Sequence, residues 1–578
     1  MPAFRGGRRP WGRGDSDDLI ATFLHPPPAP GLRGFHNYFV THLPSSSLHP
    51  DSRASPGPHH KLPRAASTPH TPGEGPSPAA MVGLSREMTV VRIPLRSAKH
   101  HFGVSAARGT RPYNEDTFQA GTLEIPAFAR RAPVSLSRSG KTASATSAES
   151  ASGDPQVFYF GVFDGHGGNE CSEFLREELH GYIERAAGSF ALRSSLKTGP
   201  GPGAGVPSAE AGGGRASATA TATATASAKD AEGPANGPTR DHGGRLPHPR
   251  ASPAAEPNPP PPPSELERAL VARWRETVGG YFRRFRPEHF ALPSPAGEEA
   301  PRPEKPVSVE GVLMYAFLQA DLDFVAAQAQ KPSAAHSHDD RPLNAHDILA
   351  SPAHLALSGH RIGGPTRFVG GSTASVALIS TPTPTPFWHP ASPCTLVVAH
   401  VGDTRILLCD TATGLALPVT TTHHPSAPIE GARLRRYATA FVTDSFGEER
   451  MSGLANTRAF GDMRSKRIGV SAEPEIRRVE LAPAEFAFLA LVSDGVSGPL
   501  TDQEIVDVIK EAKTPEQGAR DVVSFATEVS REGDNATCLV VRLGGWERRI
   551  EGGMGSLGTK EVRDFRKGDA LDPRRGRT

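Results

Sequence analysis

Residues 157–168 read VFYFGVFDGHGG and carry the strongest structural signal in the chain. Val157 to Phe163 is a continuous apolar run of strand length, which is typical of a strand buried on both faces. The run stops at Asp164, and the glycines that follow permit a tight turn. The sequence therefore predicts a core strand that presents a carboxylate at its end.

Acidic residues recur in turns beside Gly or Asn, each at one end of a predicted strand. The set consists of Glu115 and Asp116 in the run NED, Asp164, Asp494 in SDG, and Asp534 in GDN. Strand ends of one sandwich meet at its rim, where several carboxylates would repel one another unless a cation held them. Oxygen-only ligands favour Mg²⁺ or Mn²⁺ over zinc. A lone Asp-Gly is usually only a turn, so the prediction of a metal site rests on the repetition.

The run TLVVAHVGDTRILL at 395–408 predicts two strands joined by a hairpin turn at Gly402 and Asp403. Helices are predicted at 169–187, from Ser264 with a capping box to Glu267, at 308–328, and from Thr501 with a capping box to Glu504. Short strands with segregated helices indicate a layered α+β domain.

Low-complexity segments interrupt this globular pattern. The chain has 578 residues, of which 60 are Gly and 57 are Pro, well above average usage. We expect disorder in the arm 1–97 and in insertions at about 128–155, 188–263 and 329–362. One domain at 98–545 remains, followed by a charged tail at 546–578.

Composition excludes several classes of protein. A net charge of +2 gives no global attraction to nucleic acid. The sequence contains no run of about 18 apolar residues, which is the length needed to span a membrane. Only four Cys in 578 residues exclude a disulfide scaffold, and no CxxC pair exists to hold zinc. We expect buried thiols, which suit a reducing compartment. A basic N-terminal arm interrupted by acids leaves cytoplasm, nucleus and mitochondrion open.

Seven motifs together resemble the metal-dependent protein phosphatases of type 2C, a serine/threonine phosphatase family. In the family's order they are RPYNED (111–116), FGVFDGHGG (160–168), GGSTA (370–374), VGDTR (401–405), LANTRAFGD (454–462), SDG (493–495) and GDNAT (533–537). The resemblance implies a four-layer αββα sandwich of two antiparallel sheets flanked by helices, with a metal centre at one end. The run GDNATCLVVRLGGWERR also resembles a fungal branch of the family with mitochondrial members.

The resemblance implies two ions, Mg²⁺ or Mn²⁺, in each active site. Asp164 would bridge them, and Asp494 and Asp534 would complete the protein ligands of one ion. Glu115 and the carbonyl oxygen of Gly165 would complete those of the other.

Further residues would hold water and a weaker ion. In the resemblance, Asp116 and Asn535 hold metal-bound water, and Asp403 helps to hold a third ion. The family often has an acid four residues after the SDG aspartate, where this sequence has Gly498. We therefore expect the third site to be weak or absent.

The implied reaction is hydrolysis of phosphoserine and phosphothreonine proteins by metal-activated water. Arg111 would bind the phosphate with its planar fork, and His166 would protonate the leaving oxygen. The alternative for His166 is a hydrogen bond to a carboxylate or to metal-bound water. Arg458 is expected to be structural. The absence of an HCxxxxxR string disfavours a cysteine-nucleophile phosphatase.

Two alternative functions stay open. The chain could be a catalytically silent family member acting as a scaffold or regulatory binding protein, with its spacers as docking tracts. The complete set of acids argues against it. The other alternative is a two-metal nuclease or phosphodiesterase, which the balanced charge disfavours. We expect phosphorylated proteins as partners, no nucleic acid, and a monomer.

Overall fold

Two antiparallel sheets packed face to face form the centre of the part of the chain that the structure describes. The computed structural model describes residues 38–44, 88–94, 101–131, 154–197, 261–292, 307–331, 355–383, 385–435, 441–443, 449–451, 453–530, 533–550 and 555–570.

The strands in chain order are β1 (Tyr38–Pro44), β2 (Met88–Pro94), β3 (Phe102–Ala107), β4 (Thr117–Leu123), β5 (Val157–Phe163), β6 (Gly165–His166), β7 (Gly371–Ser372), β8 (Ala374–Ser380), β9 (Cys394–Val401), β10 (Arg405–Asp410), β11 (Ala416–Pro418), β12 (Phe441–Thr443), β13 (Glu449–Met451), β14 (Phe460–Gly461), β15 (Glu475–Leu481), β16 (Phe486–Val492) and β17 (Ala536–Arg542). The helices are α1 (Glu170–Ser189), α2 (Pro263–Thr277), α3 (Val309–Gln330), α4 (Pro428–Arg435), α5 (Asp494–Ser497), α6 (Asp502–Glu511), α7 (Pro515–Val529) and α8 (Gly555–Ala570). Short 3₁₀ turns lie at Gly280–Arg284, Met463–Ile468 and Trp546–Arg548.

The first sheet has the strand order β15-β9-β8-β5-β4, and the second has the order β11-β10-β16-β17-β3. All pairings within these sheets are antiparallel. Helices α1 and α3 cover the outer face of the first sheet, and α6 and α7 cover that of the second. The predicted αββα sandwich is confirmed.

The strand β5 shows why its sequence is apolar at every position. Phe158 and Phe160 point into the layer between the sheets, where they join Leu489 of β16. Tyr159 and Phe163 point the other way, into the layer beneath α1 and α3. Because both faces of a central strand are buried, polar residues are excluded until the strand reaches the rim.

The hairpin predicted at 395–408 is wrong. Strands β9 and β10 belong to different sheets, so the turn at Gly402 carries the chain across the end of the sandwich. Gly402 has φ +108°, and a Cβ there would lie 2.4 Å from the side chain of Thr373. Two hydrogen bonds join Gly402 to His423. The Gly402 N–H donates to His423 Nδ1 at 3.0 Å, and the His423 N–H donates to the Gly402 carbonyl at 2.9 Å.

Helix starts were predicted with mixed success. The capping box of Thr501 and Glu504 at the start of α6 is confirmed. The capping box of Ser264 and Glu267 is wrong, because α2 already begins at Pro263 without a side-chain cap. The Glu267 carboxylate instead accepts from the N–H of Ala291 at 2.7 Å, a partner distant in sequence.

The predicted insertions fall mostly outside the described residues. Residues 188–197 of the predicted spacer are described and in contact with the domain, since Phe190 is buried and the Ser195 hydroxyl donates to the carbonyl of Ala129 at 2.7 Å. Within the N-terminal arm, β1 and β2 pair with each other, which was not predicted. All four cysteines are free and buried, as expected. Among the described helices, none has the length and apolarity needed to cross a bilayer.

The predicted tail contributes to the domain. Trp546 is buried in the layer between the second sheet and its helices. Arg563 of α8 pairs with Glu528 of α7 at 2.8 Å, and Arg566 pairs with Glu504 of α6 at 2.8 Å. Helix α8 therefore packs on the outer helix pair of the second sheet.

Candidate metal centre

Three carboxylates meet at one end of the sandwich. Asp164 follows β5, Asp403 lies in the turn that crosses between the sheets, and Asp494 opens α5 directly after β16. One oxygen of each lies within 4.8 Å of the others. The structure thus groups Asp403, expected to serve only a weak third ion, with two residues predicted to hold the main pair.

Burial and mutual repulsion dominate the electrostatics of this group. Burial raises the pKa of Asp164 well above its usual range, and the charges of Asp494 and Asp116 add to this effect. Burial, followed by the charge of Asp403, raises the pKa of Asp494 to about 7. The pKa of Asp403 is also raised, chiefly by burial. Such a group is stabilised when a cation shares its charge.

Asp116 provides an independent indication of a missing partner. Its side chain is 7% exposed, and burial raises its pKa to about 6. Neither carboxylate oxygen has a hydrogen bond of normal geometry among the described residues, although Ser493 and Thr537 lie near enough to lower its pKa. Buried carboxylate oxygens without partners are costly, and a bound cation or its water would satisfy them. The residues present therefore fit a divalent cation.

Close packing of backbones brings Glu115 to the same rim. A Cβ on Gly165 would lie 2.5 Å from the Glu115 carbonyl oxygen, so glycine is required there. The Glu115 carboxylate accepts from the Gly168 N–H at 2.5 Å. The backbone N–H of Glu115 donates to Asn535 Oδ1 at 2.8 Å. The predicted ligands Glu115 and Gly165 therefore lie side by side, but Glu115 is not one of the three grouped acids.

Asn535 ties the arginine-bearing loop to the start of β17. Its Nδ2 donates to the carbonyls of Arg108 at 2.9 Å and Tyr113 at 3.1 Å. Together with the bond from Glu115, these contacts fix the loop that carries Arg111. This positioning contact was not predicted, and the predicted role of Asn535 in holding water stays a prediction.

Arg111 pairs with Asp534 at 2.8 Å between Nη2 and Oδ2. Asp534 is the largest cause of the raised pKa of Arg111. The two side chains are 52% and 36% exposed, so solvent weakens the pair. Like Glu115, Asp534 lies outside the group of three acids.

His166 contacts Asp462, a residue that sequence reasoning did not select. Its Nε2 lies 3.0 Å from Oδ1 and 2.9 Å from Oδ2 of Asp462. Burial alone would lower the pKa of His166, but the hydrogen bond and charge of Asp462 outweigh it and raise the pKa. The only sequence signal was the position of Asp462 at the end of the LANTRAFGD motif.

Arg458 is structural, as expected. It donates to the Glu430 carboxylate at 2.6 Å and to the Glu473 carbonyl at 2.9 Å. Arg433 donates to the second oxygen of Glu430 at 2.7 Å. Burial alone would raise the pKa of Glu430, but the two arginines hold it well below its usual range.

Comparison with known proteins agrees with these features. The family model described as Protein phosphatase 2C matches residues 333–535. The chain is thus similar to the protein phosphatase 2C family. Its matches to proteins named as protein phosphatases identify it as an enzyme of the protein phosphatase class.

Two relatives show how far the similarity of this phosphatase extends. Protein phosphatase 2C homolog 4 of Schizosaccharomyces pombe is 28% identical over 460 residues, which cover 79% of this chain and 84% of the relative. Protein phosphatase 1K, mitochondrial, of Xenopus laevis is 36% identical over 205 residues, which cover 35% of this chain and 50% of the relative. The chain thus spans about half the length of the second relative. A crystal structure of serine-threonine phosphatase 2C from Toxoplasma gondii aligns with 76% of this chain and 94% of that chain, with a TM-score of 0.39 and 14% identity.

Gly498 has a structural role in this phosphatase. Its N–H donates to the Asp494 carbonyl at 2.7 Å and closes the short helix α5. A Cβ there would lie 2.9 Å from that carbonyl oxygen, so an acid at this position would require the helix to shift. The weak third site stays a prediction.

Proposed function

We propose that this phosphatase hydrolyses phosphoserine and phosphothreonine in proteins by means of water activated by two Mg²⁺ or Mn²⁺ ions. The observation that carries the proposal is the meeting of Asp164, Asp403 and Asp494, one oxygen of each within 4.8 Å of the others. Beside them lie the oxygens of Asp116, which have no hydrogen-bond partner of normal geometry in the part of the chain that the structure describes. Balanced charge and the family's protein phosphatase names oppose a nuclease.

The protein supplies ligands from both sheets. Asp164, Asp494 and Asp534 would hold one ion, and Asp164, Glu115 and the Gly165 carbonyl the other. When bound, the ions would lower the pKa of water and polarise the phosphoryl oxygens. Asp116 would accept hydrogen bonds from metal-bound water.

Arg111 and His166 would act on the substrate. The planar guanidinium of Arg111 would bind two phosphoryl oxygens. To do so, it must either break its hydrogen bond to Asp534 or bind the phosphate and Asp534 at the same time. His166 is engaged by Asp462 through Nε2, so Nδ1 is the nitrogen that would donate to the leaving oxygen.

The test is phosphate release from a phosphothreonine peptide with and without Mn²⁺. We expect wild-type turnover with Mn²⁺, none after chelation, and at least about a thousandfold loss in Asp164→Ala, since metal-generated nucleophiles account for most of such rate enhancements. Glu177→Ala, at a side chain 57% exposed on α1, is the control.

Two further measurements test the alternative functions. Parallel incubation with DNA and RNA tests the nuclease alternative, and calorimetric Mn²⁺ binding without turnover would indicate a silent scaffold.

The compartment also belongs to the proposal. One relative is named mitochondrial, so the mitochondrion stands beside cytoplasm and nucleus as a compartment to test. Imaging a C-terminally tagged chain with and without residues 1–80 would separate them. We further propose a monomer, which light scattering in solution would check.

A further inference from the structure

The backbone at Asp462 has a left-handed conformation, with φ 44° and ψ 46°. Gly461 before it also has positive φ, at 70°. For a residue other than glycine this conformation is unfavourable, less so for Asp than for most residues, and it persists where the surroundings impose it. Here it directs a carboxylate that is 6% exposed onto the His166 ring.

A short three-stranded sheet that contains several glycines joins the segments that carry Asp462 and His166. Strand β7 pairs with β14 on one side and β6 on the other, which places Gly371 opposite both Gly461 and His166. The Asp462 N–H donates to the Gly370 carbonyl at 2.9 Å. A Cβ on Gly371 would lie 2.5 Å from Asp462 Oδ2. The carboxylate therefore packs directly on glycine backbone.

A buried ion pair fixes the chain around Asp462. Asp321 of α3 accepts from the Gly461 N–H at 2.9 Å and pairs with Lys466 at 2.5 Å. Both side chains of this pair are fully buried. Lys466 also donates to the Ala459 carbonyl at 2.7 Å. The segment is thus held on both sides of Asp462.

We propose that Asp462 is a positioning residue that acts through His166, and that the Asp321–Lys466 pair holds Asp462 in the conformation that reaches the ring. The proposal rests on the proposed function. By engaging Nε2, Asp462 turns Nδ1 toward the leaving serine or threonine oxygen. The P–O ester bond breaks as water forms the new P–O bond, the proton on Nδ1 passes to the leaving oxygen, and the water gives its proton to solvent.

Two substrates separate this role from a merely structural one. The oxygen leaving a phosphothreonine peptide is a poor leaving group and needs a proton, whereas p-nitrophenolate leaves without one. Loss of a positioned acid should therefore slow the peptide reaction far more than hydrolysis of p-nitrophenyl phosphate. A general loss of structure would slow both alike.

Asp462→Gly removes the carboxylate while keeping a residue suited to positive φ. We expect its kcat on the phosphopeptide to fall at least about tenfold more than its kcat on p-nitrophenyl phosphate, with little change in KM. Asp462→Asn keeps an acceptor oxygen and tolerates the backbone but loses the charge, so it should restore part of the difference. The double variant with His166→Ala should be no slower than His166→Ala alone.

Asp323→Asn is the control, because Asp323 is also a buried carboxylate, 7% exposed, but pairs with Arg273 and not with His166. It should leave the substrate ratio at the wild-type value. Equal losses on both substrates in Asp462→Gly, or additive losses in the double variant, would overturn the proposal.

A readout independent of turnover keeps the two proposals apart. Diethylpyrocarbonate modification of His166, followed by peptide mass spectrometry, should be several times faster in Asp462→Gly than in wild type, since the ring loses its partner. An unchanged rate would overturn the positioning role. A wild-type protein without phosphopeptide turnover would contradict the proposed function, and the modification rates would still decide whether Asp462 holds the ring.

Discussion

Arg111 is the residue whose observed partner differs most from its predicted one. Its guanidinium donates to Asp534 at 2.8 Å, although the family resemblance assigns it to the phosphate of the substrate. Both side chains are partly exposed, and exposed pairs contribute little free energy. A phosphate group could therefore displace Asp534 at low cost.

We predict that Arg111→Ala raises KM for a phosphothreonine peptide about tenfold to a hundredfold, because a hydrogen bond to a charged group contributes about 1.5–3 kcal/mol. Arg111→Lys should recover part of this loss, since lysine keeps the charge but lacks the fork. Steady-state kinetics measures both, and Arg176→Ala at an exposed pair is the control. An unchanged KM with a lower melting temperature would show that Arg111 only braces Asp534.

Local patterns revealed the acids but not their partners. Asp164 and Asp494 were found because apolar runs end at them, a feature that can be read in one short window. The contact of His166 with Asp462 joins residues 296 positions apart. It depends on left-handed backbone that no pattern around Asp462 indicates, so the sequence alone could not predict it.

At the scale of elements, the same distinction between local and distant contacts decides which predictions hold. The capping box at Thr501 lies within four residues and is confirmed. The hairpin at Gly402 is wrong because strands apolar on both faces can pair with many partners, and their sequence does not choose among them. The crossing turn that forms instead is what brings Asp403 to the rim.

Helix α3 is joined to the segment around Asp462 by a buried ion pair. We predict that Asp321→Asn lowers the free energy of unfolding by about 3–5 kcal/mol, because Lys466 is left buried without a counter-charge. Asp321→Leu combined with Lys466→Met should recover most of that loss, since apolar residues of similar volume often replace a buried pair at little cost. Urea unfolding measures both. A loss below about 1 kcal/mol in Asp321→Asn would show that the lysine finds another partner.

For the whole molecule, the order of the seven motifs predicted the four-layer αββα sandwich. The family resemblance supplies the packing order of sheets and helices, which hydrophobic periodicity cannot supply. The limits of the domain were harder to predict. Trp546 and α8 pack on the second sheet's helices although their sequence is charged and rich in glycine. Segment 190–197 packs against the first sheet although its composition is that of a spacer. The buried residues Trp546 and Phe190 each stand in a segment whose local composition does not indicate packing.

Replacing residues 198–260 with a Gly-Ser linker of about 20 residues, which spans roughly 25 Å, should leave kcat on a phosphopeptide within about twofold, because none of the proposed metal ligands or substrate-binding residues belongs to the exchanged segment. The shorter loop should raise the free energy of unfolding by only about 1 kcal/mol, which thermal unfolding would detect.

Extending the replacement to 190–260 is the matched control, and we expect it to destabilise the protein. That variant removes Phe190, which is 3% exposed, and the carbonyl of Lys197, which accepts from Arg131 at 2.7 Å. Equal stability of the two variants would contradict the packing of 190–197, and loss of turnover in the shorter replacement would contradict the domain limits.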